Sequence, residues 1–265
     1  MSLLQKQSIN GLTQAFVDKG QGQALLLIHG SLCDHRYWRL QEDALAAHCR
    51  VIVPSLRHYW PLIEPESTGF SAEQHARDLI DLLSFLDIEK AHILGHSRGA
   101  AVAVRMAQQA PEKIASLILA DPGLRNPDEL QEGINWKNDT LKQIQSGAID
   151  EGLAVFIDAV SGTGTWRQMV PWFKQMVRDN ANTLVLQQHE PPVIFDKDEF
   201  STLGEQFKIS LIGGAKSPEP FPHIISELAT LWPETKVHML EHATHGMNLA
   251  MPQAFNQAVL GHIES

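Results

Sequence analysis

The run Ala91-His92-Ile93-Leu94-Gly95-His96-Ser97-Arg98-Gly99-Ala100-Ala101-Val102-Ala103-Val104 changes hydrophobic period in its middle. Its first part reads as a short apolar strand and its last part as a helix of small residues. Ser97 falls on the bend, with Gly95 and Gly99 two residues away on either side. In that context Gly-x-Ser-x-Gly is the sequence form of a nucleophile elbow, a turn so tight that side chains at the flanking positions must be absent. The hydroxyl of Ser97 is then expected to stand clear of the sheet. It would sit at a helix N-terminus, where unpaired amides favour a developing negative charge.

The chain before this run alternates in the way a parallel sheet requires. Residues 11–17 read as an early strand, followed by a Gly20-Gln21-Gly22 turn. Ala24-Leu25-Leu26-Leu27-Ile28 is a continuous apolar run, as expected of a strand buried on both faces. It ends in His29-Gly30-Ser31, where the glycine lets the backbone turn and offers the Ser31 amide to a site above the sheet. Helical spacing over 37–48 and a strand from Arg50 to Val53 follow. Ser71 caps a helix that the spacing extends to about Asp87. Behind the elbow, Ile114 to Ala120 is another central strand, ending in Asp121-Pro122-Gly123. The βα alternation predicts a doubly wound, mostly parallel α/β sheet.

From about residue 126 to 205 the alternation stops, and helical patches are broken by Gly162-Thr163-Gly164 and Pro191-Pro192. Some eighty residues of this kind are too many for a loop, so they are expected to form a helical cap over the core formed by residues 1–125 and 206–265. Trp136 and Trp166 in the cap, and Cys33, Tyr59 and Trp60 in loops at the sheet's ligand-binding edge, are candidate pocket residues. The sheet resumes near 207–212 and again at 236–240. The loop after this last strand carries His242 and His245, and His245, leading into the final helix, is the better placed to act as a base on Ser97.

His29-Gly30, Gly95-His96-Ser97-Arg98-Gly99 and Thr244-His245-Gly246, in this order and on these elements, resemble the α/β-hydrolase superfamily over nearly the whole chain. The resemblance implies an acyl-enzyme mechanism in which Ser97 attacks, His245 shuttles the proton, and the backbone amides of Ser31 and Arg98 form the oxyanion hole. It disfavours the dehalogenases and epoxide hydrolases of this fold, which carry aspartate as nucleophile. Where most members place their acid, Gly214-Ala215-Lys216-Ser217 has serine instead. Two carboxylates could replace it: Asp121, directly on a strand end, and Glu219, between two prolines. Asp121 is the preferred reading. The displaced acid is also similar to that of cofactor-free dioxygenases of the fold, although Cys33 stands where those enzymes hold substrate with histidine.

Three functions therefore compete. The leading one is hydrolysis of a small carboxylic ester, lactone or related acyl compound. The second is dioxygenase or lyase chemistry with His245 as base, and the third is ligand binding on a vestigial triad. No cofactor or metal is implied, and the expected partner is a small-molecule substrate, with self-association left open. The formal net charge of -10 and the absence of any Lys/Arg run argue against nucleic-acid and anionic-membrane partners. Two cysteines and the lack of a leader-like or membrane-spanning run suggest a cytoplasmic setting.

Overall fold

A computed structural model describes residues 3–63, 69–125 and 134–265. Its centre is an eight-stranded sheet formed by β1 (Gln5–Ile9), β2 (Leu12–Lys19), β3 (Ala24–Ile28), β4 (Arg50–Ser55), β5 (Ala91–His96), β6 (Ile114–Ala120), β7 (Ile209–Gly214) and β8 (Lys236–Leu240). The strand order is β1-β2-β4-β3-β5-β6-β7-β8. β1 and β2 pair antiparallel, as do β2 and β4, and every other pairing is parallel. The parallel part places the C-terminal ends of β3, β5, β6 and β7 along one edge.

Helices cover both faces. α1 (Glu42–Ala46), α2 (Ala72–Phe85) and α3 (Arg98–Gln109) belong to the first half of the chain, and α10 (Phe221–Leu231), α11 (Met247–Ala250) and α12 (Pro252–Ile263) to the last part. The hydroxyl of Ser71 accepts from the Gln74 amide at 3.1 Å, capping α2 as its sequence requires. β3 shows why its strand reads as an unbroken apolar run: Leu26 and Ile28 enter the core beneath α2 and α3, while Leu25 and Leu27 enter the core on the other face. Each core contributes the hydrophobic burial that holds its helix layer to the sheet.

Between β6 and β7 the described residues form α4 (Ile134–Gln145), α5 (Ile149–Ser161), α6 (Thr165–Gln168), α7 (Pro171–Asp179), α8 (Asn182–Gln187) and α9 (Lys197–Gln206). Among the described residues of this stretch, an isolated bridge pairs Arg125 with Ile194. Residues 37–48, expected as one helix, are instead the end of a 3₁₀ turn (His35–Trp38) followed by the short α1. The carboxylate of Asp34 accepts from the Arg36 amide and so starts the turn early. None of the described helices is long and apolar enough to cross a membrane.

Candidate active site

The turn between β5 and α3 is as tight as its two glycines demand. A side chain at Gly95 would begin 2.3 Å from the Gly99 carbonyl oxygen, and one at Gly99 would begin 2.4 Å from the Ile28 carbonyl oxygen. Ser97 itself sits at φ +54°, ψ −125°, a backbone region that costs a non-glycine residue about 1–3 kcal/mol. The surrounding backbone supports this geometry. The Ser97 amide donates to the Ala120 carbonyl, and the Ser97 carbonyl accepts from Ala100 and Gly123, each at 2.9 Å.

Asp121 ends β6 and is wholly buried. Its Oδ2 accepts from His245 Nδ1 at 3.1 Å and from the Ser217 hydroxyl at 2.5 Å, and its Oδ1 accepts from the Gly214 amide at 3.4 Å. The structure thus brings together Asp121 and His245, 124 residues apart in the chain. With Nδ1 directed at a carboxylate, the proton resides there and Nε2 is left as the basic nitrogen. Glu219 does not reach His245; it lines the cavity above Ser97. The Ser97 hydroxyl makes no hydrogen bond to His245 in this arrangement, as far as the described residues show. It needs only rotation about one side-chain bond to change direction.

Two further residues hold the imidazole in place: His96, inside the elbow motif, and Phe221, which no local sequence pattern marks. Phe221 stacks on the His245 ring at 4.0 Å with an interplanar angle of 18°. His96 lies 4.6 Å away, ring to ring, and its Nε2 donates to the His245 carbonyl at 2.7 Å. Burial, together with the nearby His245, drives the His96 pKa well below the ordinary histidine value, so the ring stays neutral. His29 is likewise neutral, lowered to about 4 by burial. It accepts from the Leu56 amide at 3.1 Å and joins the Gly30 carbonyl at 2.9 Å, tying the end of β3 to the loop after β4.

Ser31, Ser97 and Arg98 line one cavity of about 640 Å³, together with Gly123, Lys137, Phe156, Gln187, Glu190 and Phe221 among others. Ser31 and Arg98 are each bound by the insertion. The Ser31 hydroxyl donates to Gln187 Oε1 at 2.8 Å, and the Arg98 guanidinium forms a bidentate pair with Glu190. Burial, reinforced by Arg125, brings the Lys137 ammonium down to about 8.

Of the remaining pocket candidates, Cys33, Tyr59, Trp60 and Trp166 are not among the described residues lining this cavity. Tyr59 is fully buried in the core, edge-on to His29, and Trp60 is stacked against His35 with the Arg36 guanidinium 4.0 Å from its ring. Cys33 is packed in the opposite core, and burial, with Asp34 nearby, raises its thiol pKa well above the usual value. Trp166 packs at the rim of that core beneath Lys174 and Arg178. The side chain of Trp136, within α4, lies outside the described residues. No group of three or more His, Cys, Asp or Glu is placed to hold a metal ion among the described residues.

A family model described as the alpha/beta hydrolase family matches residues 25–258. An uncharacterized protein of Mycobacterium tuberculosis is 38% identical over 120 residues, 45% of this chain and 35% of that protein. The chain thus spans about a third of the length of that relative. Among solved structures, a carboxylesterase from Bacillus subtilis superposes with a TM-score of 0.82 at 17% identity, covering 99% of this chain and 92% of the other. A thermophilic esterase from Thermogutta terrifontis gives 0.78 at 24% identity, covering 99% and 98%. At these identities the two structures speak for the fold.

Proposed function

The chain belongs to the alpha/beta hydrolase family, and from that premise we propose that it is a serine hydrolase of small carboxylic esters, lactones or related acyl compounds. The observation that carries the reading is the 3.1 Å contact from His245 Nδ1 to the buried Asp121 carboxylate, beside an elbow serine that opens into a 640 Å³ cavity. In the proposed reaction Ser97 Oγ bonds to the acyl carbon as its proton passes to His245 Nε2. The carbonyl oxygen becomes an anion held by the amides of Ser31 and Arg98. Collapse breaks the bond to the leaving alkoxide, which takes the proton from His245. Water then repeats the sequence on the acyl-enzyme and releases the acid. Asp121 keeps its charge throughout and stabilises the imidazolium.

Burial of Cys33 within the core removes the side chain that would have had to hold substrate in the dioxygenase reading. The test is turnover of a panel of p-nitrophenyl esters together with labelling by a fluorophosphonate. Expected results are hydrolysis of short-chain esters and one adduct on Ser97, both lost in Ser97→Ala. Turnover retained in Ser97→Ala but lost in His245→Ala would replace the acyl-enzyme with general-base chemistry.

A further inference from the structure

The two residues assigned to the oxyanion hole have something in common besides their place beside Ser97. Each is held through its side chain by the same short segment of the helical insertion. Gln187, the last residue of α8, accepts from the Ser31 hydroxyl at 2.8 Å. Three residues later, Glu190 takes the Arg98 guanidinium in two parallel contacts, Nε to Oε2 at 2.8 Å and Nη2 to Oε1 at 2.5 Å. All four residues line the cavity that contains Ser97.

We propose that Gln187 and Glu190 are positioning residues, which hold the side chains of Ser31 and Arg98 and thereby fix from the insertion the two backbone amides that receive the oxyanion. The inference rests on the serine-hydrolase reading.

The Arg98–Glu190 pair is almost closed to solvent, with side-chain exposures of 6% and 8%. A bidentate guanidinium–carboxylate contact in such surroundings fixes direction as well as distance. Its other flank is fixed by the core. His75 on α2, kept neutral by burial, accepts from Arg98 Nη2 at 2.8 Å, and the guanidinium lies 4.7 Å from the centre of the Phe70 ring. Arg98 is the first residue of α3, so whatever holds its side chain also holds the amide next to Ser97.

Ser31 needs such a hold more than Arg98 does. It lies in the turn after β3, outside the sheet ladder, and the residue that follows, Leu32, sits at φ +60°. The segment that grips both residues is itself fixed in place. Pro191 and Pro192 stiffen the chain directly after Glu190. Beyond them Arg125 donates to the Val193 carbonyl at 3.0 Å, and Phe195 donates to the Arg125 carbonyl at 2.8 Å. Docking of the insertion and alignment of the oxyanion donors are therefore one structural event.

A double-mutant cycle in the full chain tests this. Ser31→Ala and Gln187→Ala should each lower kcat on p-nitrophenyl butyrate about ten-fold with KM held within about two-fold, and the double variant should lose no more than either single one. Glu190→Gln, which keeps the shape and removes the charge, should give the same split, with part of the rate restored in Glu190→Asp. Independently of turnover, hydrogen–deuterium exchange should rise at residues 29–32 in Gln187→Ala and at 97–100 in Glu190→Gln. Additive losses, a rise in KM at constant kcat, or unchanged exchange would overturn the proposal. A wild-type protein that turns over no ester and takes up no fluorophosphonate, while exchange responds as expected, removes the hydrolase reading and leaves the coupling standing.

Discussion

The hydroxyl of Ser217 donates to Asp121 Oδ2 across 2.5 Å, so the residue at the position that the family resemblance gives to the acid is a hydrogen-bond donor to the carboxylate proposed in its place. That contact and the Gly214 amide leave the carboxylate fully buried yet satisfied. Asp121→Asn should therefore lower kcat by about 10³–10⁴ with the fold intact, because the amide favours the wrong imidazole tautomer. Ser217→Ala should cost about ten-fold or less, and Glu219→Gln almost nothing. Steady-state kinetics on one ester checks all three, and a larger loss in Glu219→Gln than in Asp121→Asn would exchange their roles.

The elbow glycines make a stability prediction. A methyl at Gly99 would meet the carbonyl oxygen of Ile28 at 2.4 Å, and backbone cannot yield as a side chain can. Gly99→Ala should cost about 3 kcal/mol in chemical denaturation. Gly261, in α12, has open space where its methyl would go. Gly261→Ala should stabilise by about 0.5–1 kcal/mol, through helix propensity and a less flexible unfolded chain. Equal effects at the two sites would mean that the close approach at the elbow is relieved by movement of β3.

How far the sequence could be read follows from where each signal resides. The strands Ile114–Ala120 and Lys236–Leu240 and the cap at Ser71 are local patterns, and the structure has them at the expected residues. The first hairpin was legible in principle. Asn10 and Gly11, both at positive φ, form the turn between β1 and β2, but polar residues across β1 hide the strand itself. The contact between Asp121 and His245 joins the end of β6 to the loop after β8, with β7 between them; that both lie at the C-terminal edge of one parallel sheet is what the βα alternation predicts. The seating of Phe221 on His245, and of Gln187 and Glu190 on Ser31 and Arg98, depends on how a helical segment folds back, and no periodicity encodes that. The aromatic rings of Tyr59 and Trp60 lie away from the cavity for a related reason: Tyr59 serves the core, and Trp60, half-buried, stacks between His35 and the Arg36 guanidinium.

Acid should destabilise this protein early. Burial lowers His29 from the ordinary 6.5 to about 4 and His262, which bridges Ser210 and Ser116, to about 3. The unfolded chain binds these protons near pH 6.5 and the folded one does not. Stability contributed by the neutral forms is therefore complete above pH 6.5 and lost as pH falls toward 4, by up to about 1.4 kcal/mol per pH unit for each histidine. Urea midpoints measured from pH 7.5 to 4 should fall on this slope, and His262→Gln should flatten it. A midpoint independent of pH over that range contradicts the neutral assignment.

The cavity's electrostatics yield a prediction about substrate charge. Lys137 faces the same cavity as Ser97, and its ammonium, brought down to about 8 by burial and by Arg125, loses charge within the working range of an esterase assay. An ester whose acyl chain ends in a carboxylate gains an attraction of about 1 kcal/mol from a charged Lys137, equivalent to roughly five-fold in KM. That gain is present below pH 8 and lost above it, whereas a neutral ester of equal length feels neither state. KM for the anionic ester should thus rise several-fold between pH 7 and pH 9 while KM for the neutral one stays level, and Lys137→Gln should erase the difference. If the two esters keep a constant KM ratio across that interval in the wild-type protein, Lys137 lies too far from the bound acyl chain to select it.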